Sequence, residues 1–467
     1  MIKNKKDGLV IKNKKYDPEA FAQPLVNLNP DIIIIGFTGA LGSGCTFLSN
    51  GLAQHHNYMH LSLSEPLHEE ARLRGLEETI ENLQKIGNEY RTKDGFGDIL
   101  VWMALREANE RWKDAKNLGI ILDGIKNTNE VAALRSFRNF FLFSIHAEEV
   151  LQKQRLLPGR CKSEDEYKTV IKRDAEERLE FGQQINRCND LADIVVINNK
   201  PIQKGSERLV RDYVQEKLYG RYVSLIELLA SGVKRVHDYT PTIPETLMTA
   251  AYVESRRSKC LKRKVGAIIA SPNGDIIAAG FNEVPGGVSC WEDPDYNWCA
   301  RDILQEKAGR KFLRCPNCGA KIKIVAQCVE CGRTIRSFTK RCPSCNSDPE
   351  IDYLCPKCQT KVYKEYLAGG SPDTGKMLDL CRSLHAEENA ILRLGKTGVS
   401  VPPDAQIYIT AFPCNLCANK IVMTGIKKVI YSEPYITKEA EKILKKGRVE
   451  TDRFEGVKST AYFRLYS

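Results

Sequence analysis

The apolar residues of the chain form two successive patterns, and the first predicts a parallel sheet. Four consecutive β-branched residues, Ile32–Ile35, end at Gly36, as in a strand that is buried on both faces. Further short apolar runs predict strands at 119–123, 140–143 and 194–197, with helical segments between them. This alternation of strands and helices predicts an open α/β domain over residues 31–225.

The second pattern begins near residue 240, after Pro241. Apolar runs at 265–270 and 276–280 flank an Asn273-Gly274 turn signal and predict a β-hairpin. A helix near His385, a strand at 405–410, a helix from Cys414 and a strand at 428–431 are predicted to follow. We therefore expect a compact α/β/α sandwich over 240–440, with a cysteine-rich insert at 315–358. Residues 1–30 are predicted to be a flexible basic arm, and 441–467 a C-terminal tail.

Composition adds a charge and a compartment to this picture. The 467 residues include 70 basic and 59 acidic side chains, for a net charge of +11. This excess favours anionic partners such as nucleotides, RNA or DNA, although a basic protein without such a role is an equal alternative. The start of the chain lacks an apolar leader, and the run Ile32–Ile35 is too short to cross a bilayer. We expect a cytoplasmic protein with no membrane partner, in which many of the 17 cysteines bind metal.

The motif with the clearest chemistry is His385-Ala-Glu387 followed by Pro-Cys414-Asn-Leu-Cys417. One imidazole and two thiolates supply the three protein ligands of a catalytic zinc ion and leave the fourth position open to water. Glu387 lies beside the metal without being a ligand, so it can take a proton from water and pass it to leaving ammonia. This is the H-x-E…P-C-x-x-C pattern of the zinc deaminases. A structural zinc site is the alternative, which the carboxylate disfavours.

The insert holds four CxxC pairs that form two successive C-x2-C-x9-C-x2-C units, each typical of a four-thiolate zinc ribbon. The eight cysteines are Cys315, Cys318, Cys328, Cys331, Cys342, Cys345, Cys355 and Cys358. Two structural zinc ions are expected, either as staples for a small insert or as a platform for nucleic acid or protein. Four other cysteines, Cys260, Cys290, Cys299 and Cys381, are expected to be buried free thiols, with a further metal site as the alternative.

Near the N-terminus, Gly39-x4-Gly44-Cys45-Thr46 follows the phosphate-loop pattern except that Cys45 replaces the usual lysine. The backbone of this loop is expected to cradle the phosphates of a nucleotide, with Mg²⁺ on the threonine hydroxyl. The expected nucleotide-binding residues are Gly39, Gly42, Ser43, Gly44, Cys45 and Thr46. Because a neutral thiol cannot stabilise a transferring phosphoryl group, phosphoryl transfer is expected to be weak or absent. A glycine-rich turn without a ligand is the alternative.

Two stretches near the catalytic motif, 258–269 and 279–286, resemble the deoxycytidylate deaminase family. In that family the asparagine after Gly-Phe/Tyr contacts the nucleotide sugar. The resemblance therefore implies a substrate contact for Asn282, whereas the alternative is an asparagine that only shapes its own loop. Glu283 stands where the family usually has glycine. Phe412 is placed either to stack on the base or to pack in the core.

Stretches of the first region, at 61–67, 84–91, 122–127 and 192–198, are similar to deoxynucleoside-monophosphate or dephospho-coenzyme-A kinase domains. A kinase-like domain joined to a deaminase domain resembles the bacterial anti-phage dCTP deaminases. That resemblance implies conversion of dCTP and dCMP to uracil nucleotides in antiviral defence, and a regulatory first domain held inactive by RNA or another regulator. It also implies a homo-oligomer. The alternatives are a C-to-U editing deaminase that acts on RNA or single-stranded DNA, and a nucleotide-sensing or RNA-binding regulator.

Overall fold

The computed structural model describes 10–11, 14–15, 28–29, 31–94, 97–112, 117–157, 159–175, 182–199, 207–232, 240–296, 299–307, 326–327, 334–335, 381–434 and 437–466. Two compact units emerge. The first unit comprises Met1–Glu245 together with Glu455–Ser467, and the second unit comprises Thr246–Phe454. The eight insert cysteines and most of the predicted basic arm lie outside the described residues. No helix in these ranges is long and apolar enough to cross a membrane.

The first unit is an α/β domain, as its sequence pattern predicts. Its strands are β1 (Val10–Ile11), β2 (Lys14–Lys15), β3 (Ile33–Thr38), β4 (Met59–Ser62), β5 (Gly119–Asp123), β6 (Phe140–His146), β7 (Ile194–Ile197) and β15 (Gly456–Val457). Its helices before β6 are α1 (Cys45–His56), α2 (Glu65–Leu73), α3 (Ile80–Asp94), α4 (Ile99–Trp112) and α5 (Thr128–Leu134). After β6 come α6 (Glu149–Leu156), α7 (Glu164–Ala175), α8 (Ile185–Leu191), α9 (Glu207–Val214), the π-helical α10 (Gln215–Val223), α11 (Ser224–Ala230) and α17 (Ser459–Leu465).

The main sheet of the first unit has the strand order β15-β7-β6-β3-β5-β4. Every pairing is parallel except β15 with β7, which is antiparallel. All residues of β3, β5 and β6 are buried, because helices cover both faces of a parallel sheet. The carboxyl ends of β3 and β5 therefore meet at one edge of the sheet, and the glycine-rich loop 39–44 follows β3 at that edge.

The second unit carries a mixed sheet in the order β14-β13-β12-β8-β9. Its elements are α12 (Ile243–Arg256), β8 (Gly266–Ala270), β9 (Ile276–Phe281), α13 (Ala300–Lys307), β10 (Ala326–Gln327), β11 (Thr334–Ile335), α14 (Ala386–Thr397), β12 (Gln406–Ala411), α15 (Asn415–Thr424), β13 (Lys428–Glu433), α16 (Lys438–Lys446) and β14 (Glu450–Arg453). The hairpin β8–β9 is antiparallel, and β12, β13 and β14 run parallel to one another. Between the hairpin strands Gly274 has φ +95°, as the Asn-Gly turn signal indicates.

The segment 441–467 differs from the predicted tail, because it is folded. Helix α16 buries Ala440 and Leu444, and β14 completes the edge of the sheet in the second unit. Strand β15 and helix α17 belong to the first unit, where Val457 pairs with Ile194. A two-residue strand has no periodicity of its own, and the residues of β14 are mostly exposed, so neither pattern predicts a strand.

Candidate active site and phosphate loop

In the second unit, the beginnings of two helices bring the predicted zinc ligands together. His385 immediately precedes α14, Cys414 immediately precedes α15, and Cys417 lies in the first turn of α15. The Sγ atoms of Cys414 and Cys417 each lie 3.4 Å from Nδ1 of His385. All three ligand atoms lie within 4.8 Å of one another. The three side chains of the sequence motif therefore lie in one cluster.

The donor set of this cluster fits a zinc ion. One nitrogen and two sulfur ligands are the types that zinc prefers, and three protein ligands leave a position for water. The Cys417 thiol is hydrogen-bonded to Cys414, which lowers the pKa of Cys414 to about 4. The same bond, together with burial, raises the pKa of Cys417. A cation would replace these shared protons, because thiolates are the form that binds metal.

Glu387 lies in the first turn of α14, two residues after His385, and is only 4% exposed. Burial raises the pKa of its carboxyl, while the charge of His385 opposes this shift. A buried carboxylate that does not ligate the metal but lies beside it is placed to hold and move a proton. The adjacent Glu388 differs, because its Oε1 accepts a hydrogen bond from Nζ of Lys420 at 2.6 Å.

The position of α14 depends on a close contact with β9. A Cβ added at Gly280 would collide with the backbone of Ala386 and Ala390. Asn389 then ties the helix to the strand, since its Nδ2 donates to the carbonyl of Phe281 at 2.9 Å and to Oε1 of Glu283 at 2.7 Å. Neither Gly280 nor Asn389 carries a sequence signal that marks it as a positioning residue. Gly280 lies within the resemblance stretch 279–286, but only the fold shows what approaches it.

A cavity of about 310 Å³ opens on the same unit, where Asn282, Glu283 and Ser383 line it. Arg257 also lines this cavity, and its guanidinium lies over the ring of Phe281 at 4.6 Å. The four other cysteines of this unit border the cavity as well: Cys260, Cys290, Cys299 and Cys381. Burial raises the pKa of Cys299 and of Cys381, which favours the thiol form of both near neutral pH. Cys299 is buried as expected, whereas Cys260, Cys290 and Cys381 are half-buried.

The Asn282 side chain is engaged by its own segment. Its Oδ1 accepts from the backbone N–H of Val265 at 2.7 Å, and its Nδ2 donates to the carbonyl of Arg263 at 2.9 Å. Asn282 also lines the cavity, so a contact with a nucleotide sugar stays a prediction. Phe412 is 6% exposed and packs edge-on against Tyr431, with ring centroids 4.8 Å apart. These contacts favour core packing over stacking on a base.

The glycine-rich loop of the first unit has the backbone of a phosphate cradle. Gly42 and Gly44 adopt φ values of +82° and +92°, which side chains rarely permit, and α1 begins directly after them. Two side chains donate hydrogen bonds to backbone carbonyls of this loop. Nη1 of Arg155 donates to the carbonyl of Gly42 at 2.9 Å, and Nδ2 of Asn198 donates to the carbonyl of Ser43 at 2.8 Å.

Cys45 is turned into this loop. Its Sγ lies 3.4 Å from Oγ of Ser43. The side chain at the position of the usual lysine therefore contacts the loop itself instead of extending towards the phosphates. Thr46 hydrogen-bonds to Asp123 at the carboxyl end of β5, and burial raises the pKa of Asp123. A hydroxyl beside a carboxylate at this place is the arrangement that binds Mg²⁺ in phosphate-loop proteins, and the threonine and aspartate fit such an ion.

Together, the cluster His385, Cys414 and Cys417 with buried Glu387 defines a zinc-dependent hydrolytic deaminase. Residues 241–433 match the family described as the cytidine and deoxycytidylate deaminase zinc-binding region. The deoxycytidylate deaminase of Enterobacteria phage T4 is 32% identical over 192 residues, which cover 41% of this chain and 77% of that protein. The chain therefore belongs to the deoxycytidylate deaminase family.

Other relatives share the same name. The deoxycytidylate deaminase of Saccharomyces cerevisiae is 27% identical over 250 residues, which cover 52% of this chain and 56% of that protein. The crystal structure of the dCMP deaminase from cyanophage S-TIM5, solved with dCMP and dUMP, is 21% identical in sequence. That likeness covers 46% of this chain and 99% of the phage protein, with a TM-score of 0.25.

Proposed function

We propose that this protein removes the amino group from the cytosine of deoxycytidine nucleotides, dCTP and dCMP, to give the uracil nucleotide and ammonia. The observation that carries this proposal is the grouping of three soft ligands with a buried carboxylate, in a chain that belongs to the deoxycytidylate deaminase family. The names of the relatives support a deoxycytidine nucleotide as the substrate. We propose that the triphosphate is accepted as well as the monophosphate.

In this reaction His385, Cys414 and Cys417 hold the metal. A zinc ion held by these ligands would supply Lewis acidity, which would lower the pKa of a water molecule to near neutrality. Glu387 takes a proton from that water and delivers it to the leaving amino group, so one carboxyl serves as base and then as acid. The low exposure of Glu387 keeps bulk water away from this proton.

The test measures ammonia release from dCTP, dCMP, CTP and a cytosine-containing oligonucleotide with purified, zinc-loaded protein. We expect turnover of dCTP or dCMP, and a loss of about 100-fold to 10,000-fold in Glu387→Gln with zinc content unchanged. Glu388→Gln is the matched control, because Glu388 lies on the same helical turn as Glu387 but pairs with Lys420 of α15. This variant is expected to keep most of the activity. Activity on the oligonucleotide alone would replace this proposal with the editing alternative.

We also propose that the first unit binds a nucleotide at the loop 39–46 and regulates the deaminase, without efficient phosphoryl transfer. The inward-turned Cys45 and the Thr46–Asp123 pair support binding without a catalytic lysine. In cells, such an enzyme would deplete deoxycytidine nucleotides and act in defence against phage. Phage plating on cells that express wild type or Glu387→Gln tests this role, and equal protection by the two would refute it.

A further inference from the structure

Helix α3 contributes polar side chains to the cavity that contains the phosphate loop. The cavity measures about 280 Å³, and Gln84 and Arg91 are among the residues that line it. Leu67, Leu83 and Leu100 also line the cavity and supply apolar surface. Gln84 and Arg91 are seven residues apart, two turns of α3, so they lie on the same face of the helix.

Arg91 presents an unused hydrogen-bond donor. The side chain is 2% exposed, and its Nε and Nη2 lie 2.9 Å and 2.8 Å from Oε1 of Glu130. Its Nη1 has no hydrogen-bond partner among the described residues. Glu130 cannot turn to satisfy it, because the other oxygen, Oε2, accepts from the backbone N–H groups of Lys126 and Asn127. A buried donor without a partner is unfavourable, so a ligand that accepts a hydrogen bond there would stabilise the site.

Gln84, on the same face of α3, presents an acceptor without a partner among the described residues. Its Nε2 donates to Oε1 of Gln183 at 3.2 Å, and this bond does not engage its own Oε1. That Oε1 has no hydrogen-bond partner in the described ranges, and the Gln84 side chain is 2% exposed. Gly87 lies between the two polar residues on α3. A Cβ at Gly87 would lie 3.2 Å from Nη1 of Arg91, so the glycine leaves space beside this nitrogen.

A donor and an acceptor between aliphatic walls suit a nucleobase better than a phosphate. A phosphate offers only acceptors near neutral pH and would leave the Gln84 oxygen unsatisfied. Every base presents both donor and acceptor groups on its edge, and its faces pack well against leucine. We propose that Gln84 and Arg91 form a base-recognition subsite, so that the first unit selects its nucleotide by the base as well as by the phosphates. This inference rests on the proposed phosphate site at loop 39–46.

The test is isothermal titration calorimetry of the full chain with Mg²⁺, in a Glu387→Gln background so that dCTP is not consumed. The ligands are inorganic tripolyphosphate and dATP, dGTP, dCTP and dTTP. A Gly44→Val variant serves as the blank, because the loop conformation and the side chain of Asn198 exclude a Cβ at that position. Binding heat that is present with the Glu387→Gln protein and absent from this blank is assigned to the loop site. Heat that remains in the blank, including binding at the deaminase site, is subtracted.

We expect at least one nucleotide to bind the loop-dependent site at least tenfold more tightly than tripolyphosphate. Gln84→Leu should lower the affinity for that nucleotide about fivefold to tenfold and leave the affinity for tripolyphosphate unchanged. The control Gln54→Leu, at an exposed glutamine of the same unit, should change neither affinity. Unchanged nucleotide affinity in Gln84→Leu, or equal weakening of both ligands, would overturn the base subsite alone. If neither ligand gave heat that depends on the loop, the proposed phosphate site would be overturned together with the base subsite.

Discussion

Replacing Gly280 by alanine tests how the active site is positioned, because it adds one methyl group at the contact between β9 and α14. The new Cβ would collide with the carbonyl oxygen of Ala386 and the amide of Ala390, and would lie 2.9 Å from Cα of Ala390. All three neighbours are backbone atoms, so no side-chain rotation relieves the overlap. Helix α14, which begins directly after His385 and carries Glu387, must move away from the strand.

The size of the effect follows from this geometry. Overpacking by one methyl group in a well-packed core costs about 1–3 kcal/mol of unfolding free energy. Normal van der Waals separation requires the helix to retreat by roughly 1 Å, and a misplacement of that size costs about 100-fold in rate. Gly280→Ala is therefore expected to lose both stability and activity, although it touches neither zinc nor substrate.

The matched control is Gly395→Ala, the same substitution near the end of the same helix. Beyond its own helical turn, a Cβ at Gly395 meets no atom of the described residues within 4 Å, so this variant is expected to be stabilised by up to about 1 kcal/mol through helix propensity. Urea denaturation, zinc content and ammonia release are measured for both variants. If Gly280→Ala unfolds within about 0.5 kcal/mol of wild type and retains its activity, the close contact does not position the helix.

Two further perturbations test metal content and the core of the first unit. Zinc analysis of purified chain should give three ions, and Cys414→Ser should lose one of them together with the activity, whereas loss of none would refute the ligand assignment. In the first unit, Glu130→Gln should lower the unfolding free energy by about 3–5 kcal/mol in urea denaturation, because it leaves the buried Arg91 guanidinium without its counter-ion. The exposed pair Glu81–Lys85 is the control, and Glu81→Gln should change stability by less than about 0.5 kcal/mol. Equal effects of the two substitutions would show that burial of the first pair does not matter.

Some elements could be predicted because their own residues decide them. The run Ile32–Ile35 must be covered on both faces, so the sequence predicts a central parallel strand, and β3 occupies that place. The Asn273-Gly274 pair favours a tight turn between two apolar runs, and β8 and β9 form the hairpin. Strand β4 was not predicted, because Met59–Ser62 is only four residues long and so short an alternation of buried and half-buried residues gives little signal without the neighbouring strands.

Other features depend on residues far apart in the chain. Gly280 carries no sign of its role until Ala386 and Ala390 are packed against it. Phe412 follows a strand next to the zinc motif and suits either stacking or packing, and its edge-on contact with Tyr431 of the neighbouring strand favours packing. The final residues read as a tail, because pairing between Val457 and Ile194 joins positions that no local pattern relates.

The sequence by itself determined the chemistry of the zinc centre, since ligand type and spacing within His385-Ala-Glu387 and Cys414-Asn-Leu-Cys417 are local properties. The same holds for the α/β class, which follows from the alternation of buried strands and helices. Only the tertiary structure decided that Nδ1 of His385 lies 3.4 Å from the sulfurs of Cys414 and Cys417. It also decided that Nη1 of Arg91 and Oε1 of Gln84 lack a hydrogen-bond partner among the described residues. Distances between separate segments are set by packing, and packing depends on all the side chains of the core together.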